Sequence, residues 1–171
     1  MLRFFIIFVI IQGVLFTLEL LQPVREFFVI PFTEVIAHAS AWVVQLFDSN
    51  VISHGILLQD SKTGFAVSIE SGCNGIEAAL VLIAAILAYP APWKHKLIGL
   101  VAGLLTIQIL NLIRIISLFY LGQWNQQVFE WAHLYVWQGL IMLDALVVFL
   151  IWLRTIPVTD GSNDSPPYET A

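Results

Sequence analysis

The chain has 171 residues, of which 59% are hydrophobic and only 11% are charged. This composition excludes a soluble domain of this size and indicates a polytopic membrane protein. The formal net charge of -5, with no basic patch, excludes a nucleic-acid partner. A single cysteine excludes an internal disulfide. No cofactor or metal site is expected, because no group of His, Cys and acidic residues has convincing ligand spacing.

Four apolar segments have about the 20 residues that a helix needs to cross a bilayer. They are residues 4–21, 73–90, 97–120 and 134–153. The expected fold class is therefore an all-α polytopic membrane protein, with residues 1–156 as one integral-membrane domain. Residues 157–171 are rich in Pro, Ser and Asp, and this composition predicts a disordered cytoplasmic tail.

A fifth segment, residues 32–47, is amphipathic. Phe32, Ile36 and Val43 share one face with other apolar residues, and Glu34 lies on the opposite face. This pattern favours a helix lying in the membrane interface over one that crosses the bilayer. Whether the segment crosses is decided better by the charges around it.

The positive-inside tendency supports the interfacial placement. If residues 32–47 do not cross, a chain with a cytoplasmic N-terminus has Arg3, Lys94, Lys96 and Arg154 in the cytoplasm. If the segment crosses, both lysines move to the outer face. We therefore expect four spans with both termini in the cytoplasm.

Residues 55–70 lie between the amphipathic segment and the cysteine, and they predict a short β-hairpin on the outer face. Apolar residues alternate with other residues over 65–70, which is the period of a strand. Residues 60–64, "DSKTG", supply the turn.

This topology brings three reactive side chains to one depth. Cys73 begins the second span at the outer face, and Arg114 follows Lys96 on the returning span after a rise of about 27 Å. His133 opens the last span on the same side. A thiol, a guanidinium and an imidazole are thus expected together at the outer membrane face.

The three groups suit nucleophilic catalysis. Cys73 is the candidate nucleophile, and His133 can accept the thiol proton and return it to a leaving amine. Arg114 can stabilise a thiolate or an oxyanion. Gly72 and Gly75 would allow a substrate backbone to approach the sulfur closely.

Structural roles are the alternatives for the same residues. A lone cysteine at the end of a span is usually a packing residue, and His133 could belong to an interfacial aromatic belt. Arg114 could form an ion pair with Glu77, with Asn111 orienting it. The rival function is a non-enzymatic transporter subunit or membrane scaffold with a structural polar network.

The segments "SGCNGIEAALVLIAAILAY", "NLIRI" and "HLYVWQGL" together resemble the exosortase and archaeosortase family of membrane cysteine transpeptidases. The resemblance covers roughly residues 50–153. It implies that Cys73 is the nucleophile, that Arg114 and His133 are the second and third catalytic residues, and that Asn111 accompanies the arginine.

The resemblance also implies a substrate and a location. One span precedes the amphipathic segment where typical members have more, so the chain resembles a short form such as the exosortase H type. The implied partners are exported proteins ending in a short motif, a transmembrane helix and a basic cytoplasmic end. They would be cleaved at the outer face of the bacterial cytoplasmic membrane and transferred to an envelope acceptor.

Overall fold

The computed structural model describes residues 2–156. This part of the chain forms helices and strands in the order α1 (Leu2–Leu20), α2 (Gln22–Gln45), β1 (Val51–His54), β2 (Leu57–Asp60), β3 (Ala66–Ser68), α3 (Ile76–Ala88), α4 (Trp93–Trp124) and α5 (Gln126–Arg154). Two helices contain a π-helical segment, Arg25–Val29 in α2 and Ala132–Trp137 in α5.

Helix α3 lies at the centre of a bundle formed with α1, α4 and α5, each of which packs against it. The bundle core includes Leu82 of α3, Ile107 of α4 and Trp152 of α5. Helix α3 ends at Ala88 because Pro90 and Pro92 follow, and proline cannot continue a helix without losing a hydrogen bond. The sharp connection turns the chain back into α4 beside α3.

Two glycines of α4 allow this close packing. A Cβ atom at Gly99 would overlap the indole of Trp152, and one at Gly103 would lie 2.5 Å from Cδ2 of Leu82. Small residues at helix interfaces let neighbouring backbones approach. Gly99 and Gly103 therefore allow α5 and α3 to pack closely against α4.

Helix α2 and the strands form a separate cap at one end of the bundle. The sheet is antiparallel in the order β1-β2-β3, with Val51 opposite Asp60 and Leu58 opposite Val67. The cap has its own core, in which α2 and the sheet cover Phe119 of α4. At 32 residues α4 is about 48 Å long, more than the 30 Å of a bilayer core, so it reaches from the bundle into the cap.

The expected fold class is confirmed. Four described helices, α1, α2, α4 and α5, are long and apolar enough to cross a membrane, and a small antiparallel sheet accompanies them. This set differs from the four predicted spans: α2, which contains the segment expected to lie in the interface, is long and apolar enough to cross, whereas α3, from the predicted span 73–90, is too short. The sheet also includes β1, which the alternation pattern did not predict. The predicted amphipathic segment, residues 32–47, is helical up to Gln45 and forms the second half of α2. This half of α2 packs on the sheet. The tail predicted over residues 157–171 lies outside the described residues.

Helix α3 is shorter than the apolar segment 73–90 from which it was predicted. It has 13 residues and begins at Ile76, so Cys73 lies in the loop between β3 and α3. Gly72 and Gly75 in this loop have φ angles of +89° and +78°. These left-handed conformations are incompatible with an α-helix, so α3 cannot extend back to the cysteine. The cysteine is therefore carried by a turn at the helix N-terminus.

Candidate active site

The three side chains expected to converge do so at the cap end of the bundle. Sγ of Cys73 lies 3.1 Å from Nε2 of His133, although the residues are 60 positions apart. Nη2 of Arg114 donates to the same sulfur at 3.6 Å, and Nη1 donates to the carbonyl oxygen of Gly72 at 3.1 Å. The thiol is thus held between an imidazole and a guanidinium.

Arg114 reaches the loop from the interior. Its side chain is only 1% exposed, since α4 places it beneath the Cys73 loop. A buried guanidinium needs hydrogen-bond acceptors, and the loop supplies a carbonyl oxygen and a sulfur. The cation is therefore directed at the Cys73 sulfur and the peptide group that precedes it.

Neither Glu77 nor Asn111, the two alternative partners of Arg114, forms a hydrogen bond with it among the described residues. Glu77 does not accept from the guanidinium, and its Oε2 has no hydrogen-bond partner among the described residues. The amide of Asn111 is buried, and it has no such partner either. The alternative ion pair and orienting contact are therefore not formed among the described residues, and the guanidinium contacts the loop instead.

Gly75 does not leave room for a substrate. It is buried, and a Cβ atom there would lie 3.2 Å from Cγ of Asn111 and 3.1 Å from Nε2 of Gln108. The glycine is needed for its left-handed conformation and for contact with α4. Gly72 differs, because a Cβ atom there would meet nothing within 4 Å.

Asn74, directly after the cysteine, ties the loop to two helices. Its side-chain amide donates to the hydroxyl of Thr33 in α2 at 3.0 Å, and its Oδ1 accepts from the backbone N–H of Ile76 at 3.1 Å. Asn74 is fully buried. One side chain therefore satisfies the first backbone N–H of α3 and joins the Cys73 loop to α2.

His133 lies in the π-helical segment of α5, seven residues after the helix begins at Gln126. Its ring is stacked on that of Phe129, with centroids 5.7 Å apart and planes 14° apart. π-Helical turns inside α-helices are frequent at functional sites because they redirect side chains. The segment and the stacking together present Nε2 to the sulfur.

A small cavity of about 90 Å³ opens beside the three side chains. One wall belongs to the cap, where β3 and the following residues contribute Val67, Ser68, Ile69 and Glu70. The remaining lining comes from α4 and α5. The accessible surface of the whole lining is mainly apolar, so it offers water few hydrogen-bond partners beside the sulfur.

Burial raises the pKa of the Cys73 thiol above its ordinary range. The Arg114 guanidinium opposes this effect, while the carboxylates of Glu77 and Glu70 add to it. Because the neutral thiol is favoured at neutral pH, attack by the sulfur requires a base. The imidazole at 3.1 Å is in position to be that base.

Sequence reasoning missed the residues that hold the three groups in place. Asn74 is adjacent to the cysteine, and its polar side chain at the start of an apolar run was an available signal. Thr33 lies 41 positions away and gave none. Phe129 had no signal either, because a phenylalanine among several neighbouring aromatic residues is unremarkable by composition.

Comparison with known proteins agrees with the resemblance. The family described as transmembrane exosortase (Exosortase_EpsH) matches residues 1–153. No curated protein and no solved structure matches the chain. The family match supports a membrane transpeptidase or protease in general, and together with the apolar helices it supports an integral membrane protein. The chain belongs to the transmembrane exosortase family.

Proposed function

We propose that this protein is a membrane-embedded cysteine transpeptidase that cleaves a C-terminal sorting signal of exported proteins and passes the new C-terminus to an acceptor of the cell envelope. The observation that carries the proposal is the contact of Cys73 Sγ with His133 Nε2 at 3.1 Å, with Arg114 Nη2 3.6 Å from the same sulfur. A cysteine that only fills space in the protein interior would need neither the imidazole nor the guanidinium beside its sulfur.

In the first half of the reaction, the Cys73 sulfur attacks the scissile carbonyl carbon while His133 accepts the thiol proton. The C–N bond then breaks, and the leaving amine takes that proton from the imidazolium. The product is a thioester between Cys73 and the exported protein. Arg114 stabilises the negative charge that develops on sulfur and on the carbonyl oxygen.

In the second half, an acceptor amine attacks the thioester. His133 takes a proton from the amine and returns it to the departing sulfur, so the enzyme is regenerated. Water in place of the amine would give hydrolysis. The mainly apolar lining of the cavity, to which β3 contributes, favours transfer by limiting access of water to the thioester.

The proposed location is the bacterial cytoplasmic membrane, with the active site facing outward. Positive-inside placement of Lys94 and Lys96 supports this orientation. They lie at the start of α4, and Arg114 lies about 27 Å farther along the same helix. The cap and the three side chains are then on the outer face.

The test is cleavage of an exported reporter protein that ends in a candidate motif, an apolar helix and a basic segment. Wild type and the variants Cys73→Ala, Arg114→Ala and His133→Ala are compared by immunoblot at equal membrane abundance. We expect Cys73→Ala to abolish cleavage and the other two to reduce it at least about 100-fold.

Normal cleavage by Cys73→Ala would refute the proposal and favour the non-enzymatic scaffold. Arg154→Ala is the matched control for Arg114, because it removes an arginine at the opposite end of the bundle. Full activity of that control shows that loss of activity in Arg114→Ala is specific to the site.

A further inference from the structure

A lateral crevice runs along α3, with α1 on one side and α5 on the other. At the end of the bundle opposite the cap, it forms an apolar groove of about 230 Å³. Phe5 and Phe8 of α1, Val81 and Ala85 of α3, and Met142 are among its lining residues. Phe5 and Met142 are each 61% exposed, so the groove is open toward the lipid.

A second cavity of about 310 Å³ lies farther along α1 and α3, toward the active site, and we refer to the groove and this cavity together as the crevice. Phe16 and Glu19 of α1 and Glu77 of α3 line this upper part. Residues 8, 12, 16 and 19 of α1 share one face with Phe5, and Glu77, Val81 and Ala85 share one face of α3. The two cavities therefore lie along the same pair of helix faces.

The upper cavity ends at the loop that carries Cys73. Glu77 lies one position after the first residue of α3, and the loop carrying Cys73 precedes that residue. Ser71 and Glu70 of the same loop line the upper cavity. A helix bound along α3 would therefore have its upper end next to the loop that carries Cys73.

Two polar side chains on the crevice faces of α1 and α3 favour a peptide over a lipid chain as the occupant. Glu77 lines the upper cavity, and its Oε2 has no hydrogen-bond partner among residues 2–156. Gln12 lies between the two cavities on the same face of α1, and neither of its amide atoms has a partner in this part of the chain. A hydrocarbon chain offers neither donor nor acceptor, whereas a peptide with polar side chains or a helix end offers both.

We propose that this crevice binds the transmembrane helix of the substrate, so that the peptide bond just outside that helix reaches Cys73. The inference rests on the proposed function. From Phe5 to Glu19 the crevice face of α1 is about 21 Å long, roughly two thirds of a bilayer core. The helix therefore aligns the cleavage site by its depth in the membrane.

Photo-crosslinking from the enzyme tests the location directly. A benzophenone amino acid replaces Phe8 in the crevice or, as a matched control, Ile109 of α4, which is 61% exposed and lines neither cavity. Both are made in the Cys73→Ala background, so that the reporter from the cleavage assay stays intact.

We expect an enzyme–reporter adduct from position 8 and at least about tenfold less from position 109. A reporter without its apolar helix should give no adduct. Equal adducts from both positions, adducts only from position 109, or adducts only with lipid or with a second copy of the chain would overturn the proposal.

A crevice-filling variant separates this inference from the proposed function. We expect Val81→Trp to lower cleavage of the reporter at least about tenfold, by competing with the substrate helix, and Ile109→Trp to leave it within about twofold. Alkylation of Cys73 by N-ethylmaleimide should be unchanged in both, which shows an intact site. Unchanged cleavage by Val81→Trp would overturn the crevice while leaving the catalytic proposal in place.

Discussion

At the scale of single residues, the reactivity of Cys73 depends on one buried cation. Burial raises the pKa of the thiol, and Arg114 at 3.6 Å is the group that counteracts this rise. Since the chain has one cysteine, any alkylation of the native protein reports on this thiol alone.

The first prediction concerns the pH dependence of this alkylation. A raised pKa keeps the thiol neutral to higher pH, so the rate of reaction with N-ethylmaleimide should rise with pH and reach its midpoint above that of a free thiol. Arg114→Gln should move the midpoint further upward, whereas Arg114→Lys should move it less because the charge remains. An identical midpoint in both variants would contradict electrostatic control by Arg114.

At the scale of elements, the turn between β2 and β3 depends on Asp60. Its carboxylate accepts from the backbone N–H of Lys62 at 2.8 Å and from the hydroxyl of Thr63 at 2.9 Å. The hydrogen bond from Lys62 is the main cause of a lowered Asp60 pKa. The turn is therefore stabilised above the ordinary carboxyl pKa, and this stabilisation is lost as the pH falls through the lowered value.

The second prediction is that Asp60→Ala increases hydrolysis at the expense of transfer. A loosened turn admits water to the thioester, because β3 forms one wall of the cavity beside Cys73. The ratio is measured by mass spectrometry as hydroxamate to free acid, with hydroxylamine as the acceptor. Lys62→Ala is the control, since its backbone N–H is retained. An unchanged ratio in Asp60→Ala would refute the shielding role of the sheet.

The third prediction concerns helix packing. Gly99→Ala places a methyl group against Trp152 and should destabilise the bundle by about 1–3 kcal/mol, the usual effect of overpacking. Gly13→Ala is the matched control within a helix, because a Cβ atom there meets nothing within 4 Å. It should be neutral or stabilise by about 0.5–1 kcal/mol. Thermal unfolding in detergent distinguishes the two, and equal midpoints would be evidence against the packing role.

At the scale of the whole molecule, the described residues form two separate hydrophobic cores, one in the bundle and one in the cap. The bundle core joins α3, α4 and α5, while the cap core joins α2 and the sheet to the far part of α4. The three reactive side chains lie at the boundary between them. The cap therefore packs on the part of α4 that extends beyond the bundle core, next to the three side chains.

The fourth prediction is that the cap lies outside the cell. In a Cys73→Ala background, Lys62→Cys in the cap and Lys94→Cys at the other end of the bundle form a matched pair of exposed lysines. A membrane-impermeant maleimide added to intact cells should label position 62 but reach position 94 only after permeabilisation. The reverse pattern would place the active site in the cytoplasm.

The sequence by itself determined the fold class and the convergence of Cys73, Arg114 and His133. Both can be derived from short stretches of sequence. The length of an apolar segment indicates a membrane-spanning helix, and the rise per residue gives the depth of each side chain along that helix. The resemblance to the exosortases, which is confirmed, rested on the same three segments.

Only the tertiary structure decided which way each side chain points and what it meets. Arg114 binds Gly72 and the sulfur instead of Glu77, and Gly75 faces Asn111 instead of open space. These outcomes depend on how α4 is rotated against the Cys73 loop. That rotation results from packing between residues far apart in the chain, such as Gly103 against Leu82, and no local pattern encodes it.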